Sequence, residues 1–258
     1  MGTQGTGRFE GRVAAITGAA GALGRASAKA LAREGAKLLL FDRDPGGLAE
    51  TAALCPGSIS VTGNVTSAAD LERAAAMALA ELGPVELLVA AAGLVGPSKI
   101  AIEVTEDEWD LVFDVNVKGC WLTAKAFVPQ MREFGRGSVV LFSSTAGLQG
   151  SPVLSVYSAS KGAVTLLTKS LALNHATENI RFNCVCPGTI DSPMSDRSIA
   201  QAGDAAAQAA RAAFQKSRHP MNRFGTPDEV AGAVMYLLSD DAGFTTGVAL
   251  PVDGGRLA

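Results

Sequence analysis

A chain of 258 residues, 48% of them apolar, has enough material for a large buried core, and its formal net charge of -3 is spread without a basic block or an acidic tail. Nucleic acid is therefore not an expected partner, and charges and glycines interrupt every apolar run before the ~20 residues that a membrane span needs. The opening MGTQGTGRFEGR lacks the apolar centre of a signal peptide, so the expected compartment is the cytoplasm. Its first six residues match a myristoylation pattern, but a lone acyl chain with no polybasic patch is a weak anchor and lipidation is not expected. Cys55, Cys120, Cys184 and Cys186 are too scattered for a disulfide framework, and with only His175 and His219 beside them they form no metal-ligand spacing.

Short apolar stretches alternate with amphipathic ones from end to end, which is the pattern of βαβ units and a parallel sheet. The predicted strands are Arg12–Thr17, Lys37–Phe41, Ser58–Val61, Leu87–Ala91, Ser138–Phe142, Arg181–Cys186 and Ala249–Val252. No linker divides them, so one domain is expected over 1–258. The first strand runs into Thr17-Gly18-Ala19-Ala20-Gly21-Ala22-Leu23-Gly24 and then a helix. Glycines there let the backbone approach a pyrophosphate, and the helix amino terminus stabilises its charge. Asp42 ends the second strand, 24 residues after Gly18, close to the ~20 at which a carboxylate meets the adenosine ribose hydroxyls of a dinucleotide. A 2′-phosphate would be repelled there, and no arginine or lysine lies between Gly18 and Gly24 to compensate, so NAD is expected over NADP. Arg43 is the one neighbour able to reach such a phosphate; its other reading is a solvated surface side chain beside Asp44.

Further along, Thr105 with Glu108, and Thr226 with Pro227 and Glu229, carry helix-start signals, and Gly83 carries a stop signal. Tyr157 and Lys161 stand four apart in VYSASK, so a helix presents both on one face. A phenol that acts as a base near neutral pH needs a cation beside its anion; at 4 Å and an effective dielectric of 20 such a cation contributes about 4 kcal/mol. Lys161 and a positive nicotinamide ring are two such cations. Ser144, at the end of the fifth strand, can polarise the carbonyl oxygen that Tyr157 protonates. Asn116 reads as a buried amide that orders a helix backbone and a water behind Lys161. Only Asp191–Pro220 breaks the rhythm: its Ala-rich stretch Ile199–Phe214 is helix-like, and an insertion at the carboxyl edge of a parallel sheet is where a substrate lid over 191–220 would sit.

With the glycine turn, Asn116, Ser144, Tyr157, Lys161, Pro187-Gly188 and the closing Asp253-Gly254-Gly255, the chain resembles the short-chain dehydrogenase/reductase family from Phe9 to Gly255. The resemblance implies a single Rossmann-like, doubly wound α/β domain with a seven-stranded parallel sheet flanked by helices, preceded by a flexible tail at 1–8. It selects Ser144 over Ser143, because a serine thirteen residues before the tyrosine is the family's, and it implies a homotetramer. It also implies cofactor contacts from Gly18, Gly21, Leu23, Gly24, Asn64, Val65, Ala90 and Gly93. Lys161 is implied to bond the nicotinamide ribose, with Pro187, Gly188, Ile190 and Ser192 holding the nicotinamide. Three positions depart from the family: Ala22 replaces a glycine, Ala90-Ala91-Ala92-Gly93 replaces Asn-Asn-Ala-Gly and forfeits hydrogen bonds that brace the central sheet, and Asn64 replaces an aspartate near the adenine.

The function expected is hydride transfer between NAD(H) and a secondary alcohol or ketone, small and largely apolar or cyclic. Its pocket would draw on Leu94–Ile100, Leu148–Leu154 and Asp191–Phe214, with Lys99, Asp191, Asp196, Arg197, Asp204 and Arg211 at the rim. Reduction of 3-oxoacyl thioesters on a carrier protein is the alternative reaction; it calls for a basic docking patch that the sequence does not display. A non-catalytic dinucleotide sensor is the alternative of another class, opposed by a tyrosine poised beside a lysine.

Overall fold

The structure, a computed structural model, describes residues 7–258. The acylation-like pattern and positions 1–6 of the expected tail lie outside the described residues. Within the remainder of that tail Arg8 is held, its Nε donating to Glu34 Oε2 at 2.6 Å.

Seven parallel strands form one sheet: β1 (Val13–Thr17), β2 (Lys37–Asp42), β3 (Ile59–Thr62), β4 (Leu87–Ala90), β5 (Gly137–Phe142), β6 (Ile180–Pro187) and β7 (Ala249–Val252), ordered β3-β2-β1-β4-β5-β6-β7. The expected strands are all present, with ends displaced by a residue where sequence gives no punctuation. Successive residues of β1 point to opposite layers: Val13 and Ala15 join one core with Leu71, Phe127 and Val164, whereas Ala14 and Ile16 join another with Leu31, Val230 and Leu238. Both faces are therefore dry, which explains why these strands read as continuous apolar runs. The helices among the described residues are α1 (Ala22–Arg33), α2 (Pro45–Ala53), α3 (Ala68–Glu81), α4 (Glu106–Phe113), α5 (Gly119–Phe134), α6 (Ser155–His175), α7 (Pro193–Ala200), α8 (Ala205–Ser217) and α9 (Pro227–Leu238). Among the described residues no helix is long and apolar enough to cross a membrane.

The start signals act as read. Thr105 and Glu108 cap α4 reciprocally, and Thr226 and Glu229 do the same for α9. Two local features depart from the pattern. A π-helical turn, Asp114–Lys118, joins α4 to α5, and the expected Ala-rich helix is split into α7 and α8. The split falls where Gly203 takes φ +105° and Asp204 caps α8 by accepting from Ala207 N, a stop and a start that outweigh the alanine propensity on either side.

The alanines after β4 leave a mark on the sheet. Thr17 pairs with Ala90 in the β1–β4 register, so the two side chains share a face, and the Thr17 hydroxyl is buried without a hydrogen-bond partner. A buried donor left unpaired costs about 1–3 kcal/mol. Thr17→Val, which keeps the shape and removes the hydroxyl, is expected to raise the denaturant midpoint by an amount worth about 1 kcal/mol with an unchanged slope. Loss of stability of that size would show that the hydroxyl is satisfied.

Candidate active site

Strand order reverses between β1 and β4, so the chain leaves the two central strands in opposite directions and opens a crevice at their carboxyl ends. The glycine turn stands at its edge. Gly18 has φ +72°, and a Cβ there would lie 2.5 Å from Ala92 N; a Cβ at Gly24 would run into the Gly18 carbonyl. Gly21 is the N-cap of α1 and supplies no capping side chain, whereas Asp44, Ser67, Ser192 and Asp204 cap α2, α3, α7 and α8. The first amides of α1 are thus left for an anion, as a bound dinucleotide pyrophosphate requires, and Leu23 borders the crevice just beyond them. Ala22 is the first helical residue and lies outside the positive-φ positions, so its methyl is accommodated without strain.

At the adenosine end Asp42 Oδ2 accepts from Ala20 N at 3.0 Å, and its Oδ1 accepts from Asp44 N at 3.1 Å. Gly63 N donates to Asp42 O, which brings Asn64 and Val65 alongside. Asn64 is exposed and its Oδ1 accepts from Thr66 N, while Val65 is buried against the α5 start. Arg43 is exposed. Arg25, one residue beyond the glycine string, is basic but committed elsewhere: it bonds Thr51, the carbonyls of Ala20 and Gly47, and Glu50 at 2.7 Å.

The four residues expected to carry chemistry converge from three places: the π-helical turn, the end of β5 and α6. Lys161 is 4% exposed, and its Nζ donates to Phe142 O at 2.8 Å and sits 5.7 Å from the centre of the Tyr157 ring. Ser144 and Tyr157 border the same cavity. The two adjacent serines divide the work. Ser143 Oγ donates to Lys161 O at 2.9 Å and meets Thr165 Oγ1 at 2.7 Å, fixing α6 on β5, while the less buried Ser144 has an Oγ that accepts only from Ala146 N at 3.1 Å. Asn116 occupies the π-helical turn, fully buried. Its Oδ1 accepts from Leu94 N at 2.9 Å, and its Nδ2 donates to Leu94 O at 2.9 Å and Ser160 Oγ at 3.0 Å. Ser160 Oγ in turn donates to Tyr157 O. Asn116 therefore bolts the loop after β4 to the helix that carries Tyr157 and Lys161. Gly93 lies in the grip of this arrangement: a Cβ there would meet Asn116 Oδ1 at 3.2 Å and Lys161 Nζ at 3.3 Å.

The cavity holds about 410 Å³ and is walled by parts of all three expected segments together with Pro187, Gly188, Ile190 and Ser192. Lys99, expected at the rim, is paired with Glu108 at 2.6 Å, and of the rim candidates Arg211 is the one that lines the cavity. Sequence reading weighed His219 only as a metal ligand, included Gln149 only within the Leu148–Leu154 segment, and passed over Arg218 and Arg256. His219 is buried, receives Thr189 N on Nε2 at 3.0 Å and meets Gln215 O through Nδ1 at 2.8 Å, so it clamps the end of α8 to the loop after β6. Arg218 stands on one helical face with Arg211, Phe214 and Gln215, spaced i, i+3, i+4, i+7, a signal present in the sequence but masked by the surrounding alanines.

The chain is similar in sequence and in fold to known proteins. A family model described as Enoyl-(Acyl carrier protein) reductase matches residues 18–256. The 2-(S)-hydroxypropyl-CoM dehydrogenase 3 of Xanthobacter autotrophicus is 40% identical over 97% of this chain and 98% of its own. Dehydrogenase/reductase SDR family member 6 of Rattus norvegicus is 38% identical over 96% and 98%. The crystal structure of carveol dehydrogenase from Mycobacterium avium in complex with NAD superposes with a TM-score of 0.93 at 30% identity, covering 98% of this chain and 99% of that one. Likeness of this extent, in sequence and in fold together, makes the chain a member of the short-chain dehydrogenase/reductase family and an oxidoreductase of alcohol and ketone groups.

Proposed function

We propose that this protein interconverts a secondary alcohol and its ketone using NAD(H), with Tyr157 transferring the proton. The observation that carries the reading is the convergence of Ser144 and Tyr157 on one cavity with the Lys161 ammonium buried beneath the phenol. When bound, the nicotinamide supplies or takes the hydride at the carbonyl carbon. Tyr157 Oη gives its proton to the carbonyl oxygen in reduction and takes it back in oxidation, and Ser144 Oγ donates a hydrogen bond to the same oxygen. Lys161 stabilises the phenolate; one of its N–H groups is spent on Phe142 O, which leaves two for the nicotinamide ribose. Asn116 is a positioning residue, acting through Leu94 and Ser160. Pro187, Gly188, Ile190 and Ser192 hold the nicotinamide, and Asn64, Val65, Ala90 and Gly93 line the route to the adenine.

Preference for NAD rests on Asp42, whose carboxylate is fixed at the mouth of the glycine turn. The 191–220 segment acts as the lid, clamped at one end by His219. Trp109 on α4, Trp121 on α5, and Leu166 and Leu173 seven apart on α6 remain exposed, and these apolar faces suit packing against copies of the chain in a homotetramer. The four buried free thiols suit the cytoplasm.

Tyr157→Phe is expected to cut turnover of the best secondary alcohol by ~10²–10⁴-fold with NAD affinity nearly unchanged, whereas Lys161→Ala should weaken both rate and NAD binding. Steady-state kinetics with dinucleotide titration separate the two; a Tyr157→Phe enzyme within a few-fold of the parent would assign the proton to another group. Catalytic efficiency with NAD should exceed that with NADP, and Asp42→Ala should narrow the ratio by about tenfold, the equivalent of ~1.4 kcal/mol. Equal use of both dinucleotides by the parent would hand the decision to Arg43. Hydrogen exchange of the ligand-free protein should show α7 and α8 exchanging ahead of the sheet and slowing when NAD binds, with α5 and α6 losing protection on dilution below the tetramer's dissociation range. Lid helices as protected as β4 and β5, or protection in α5 and α6 that ignores dilution, would remove the lid or the assembly from this reading.

A further inference from the structure

The cavity has a charge asymmetry that a plain ketone does not explain. Its wall carries Lys161, Arg211, Arg218 and Arg256 and no carboxylate, in a chain whose net charge is -3. Lys161 is accounted for beneath Tyr157; the three arginines are not. Each is partly buried, and none forms an ion pair within 4.0 Å among the described residues, although Arg8, Arg12, Arg25, Arg73, Arg132, Arg136 and Arg223 all do. Desolvating a guanidinium without a counter-ion is costly, so a site that gathers three of them is built to receive one.

The local geometry favours the same conclusion. With its amide oxygen turned toward them, Gln149 accepts from Arg218 Nη2 at 3.1 Å and from Arg256 Nε at 3.2 Å, so one neutral oxygen joins two like charges. Burial and the charge of Arg218 hold the Arg256 guanidinium below its ordinary range. Asp253, whose charge acts on Arg256, turns its carboxylate to Gly255 N and Leu257 N, each at 3.0 Å, and shapes the carboxyl-terminal turn that carries Arg256. Arg211 reaches Ser98 Oγ at 3.4 Å, a long contact that leaves most of its donors free.

The dinucleotide's phosphates are not the missing anion. They belong to the Gly18–Gly24 turn and the α1 amides, whereas these arginines bond the segments that follow β4 and β5, on the side where Ser144 and Tyr157 meet the substrate. The rest of the wall is apolar, with Leu94, Val95, Val153, Leu154, Met194 and Phe214. Resting on the dehydrogenase reading, we propose that the substrate is a short alcohol or ketone with an apolar body and a terminal oxyanion, carboxylate or sulfonate, seated on Arg218 and Arg256 with Arg211 completing the site. Planar guanidinium forks match two oxygens of such a group at once and orient the carbonyl at the other end toward Tyr157.

Matched ketones test this: levulinate against its methyl ester, and 3-oxobutane-1-sulfonate against the corresponding methyl sulfone. The parent enzyme should favour the anionic member of at least one pair by about tenfold or more in kcat/KM, and whichever pair does so distinguishes carboxylate from sulfonate. That preference ratio should fall about tenfold or more in Arg218→Gln and in Arg256→Gln, chiefly through KM, with Arg218→Lys intermediate because it keeps charge and loses the fork. Calorimetry with propanesulfonate and butyrate on the NAD-loaded protein reads the anion site without turnover. Binding that competes with the ketone, spares NAD and weakens in both Gln variants supports the proposal. Anion binding with no turnover of any ketone would leave the oxyanion site standing and overturn the dehydrogenase reading. Equal or better use of the neutral members, or propanesulfonate and butyrate binding that the substitutions do not change, would overturn the oxyanion site alone.

Discussion

Burial of β1 and β4 on both faces is the constraint from which the rest of the molecule follows. A parallel strand with no wet face must be reached by a crossover that packs a helix on one side of the sheet or the other, and here α1 and α9 cover one face while α3, α5 and α6 cover the other. Because the strand order turns round between β1 and β4, no helix crosses above that junction. The crevice so formed collects the carboxyl ends of β1, β4, β5 and β6, and with them Gly18, Gly93, Ser144 and Pro187. The site is a consequence of how the sheet is covered.

Within the crevice a small set of buried hydrogen bonds fixes the helix that carries Tyr157 and Lys161. Ser143 and Lys161 tie α6 to the end of β5 from both directions, the serine donating to the lysine carbonyl and the ammonium to the Phe142 carbonyl. Asn116 ties the same helix to the loop after β4. The π-helical turn makes this possible: widening the helix by one residue turns Asn116 inward in the middle of an otherwise continuous α4–α5 rod. A mobile phenol would cost rate, since near-attack geometry is what an active site contributes beyond its functional groups. In the proposed reaction the polar network behind Tyr157 therefore matters as much as the tyrosine itself.

The other wall of the cavity obeys a different logic. α8 has no residue in the core, and it is held by His219 at one end and by side chains that face the cavity along its length. An element with so little apolar burial owes its position to what it contacts across the cavity. Arg211 on that helix and Arg218 at its carboxyl end, beside Arg256 from the carboxyl-terminal turn, place the cavity's cationic charge on an element with no residue in the core.

Much of this was legible in the chain alone. The alternation of buried strands with capped helices gave the α/β order. The glycine turn ahead of a helix, Asp42 after the second strand, and Tyr157 four before Lys161 marked the crevice, because each depends on spacing within a few residues, where backbone geometry dictates the outcome. Local chemistry likewise accounts for the capping of α4 by Thr105 and Glu108. What sequence could not supply were relations between distant segments: that Asn116 would bond Leu94, that His219 would hold Thr189, and that Arg218 and Arg256, 38 positions apart, would share the Gln149 oxygen. Those contacts exist only because the sheet brings strand ends together, and a charge's meaning depends on which neighbours burial leaves it. The sequence determined the fold class and the local motifs that line the crevice; the tertiary packing decided how they are braced and which side of the cavity is cationic.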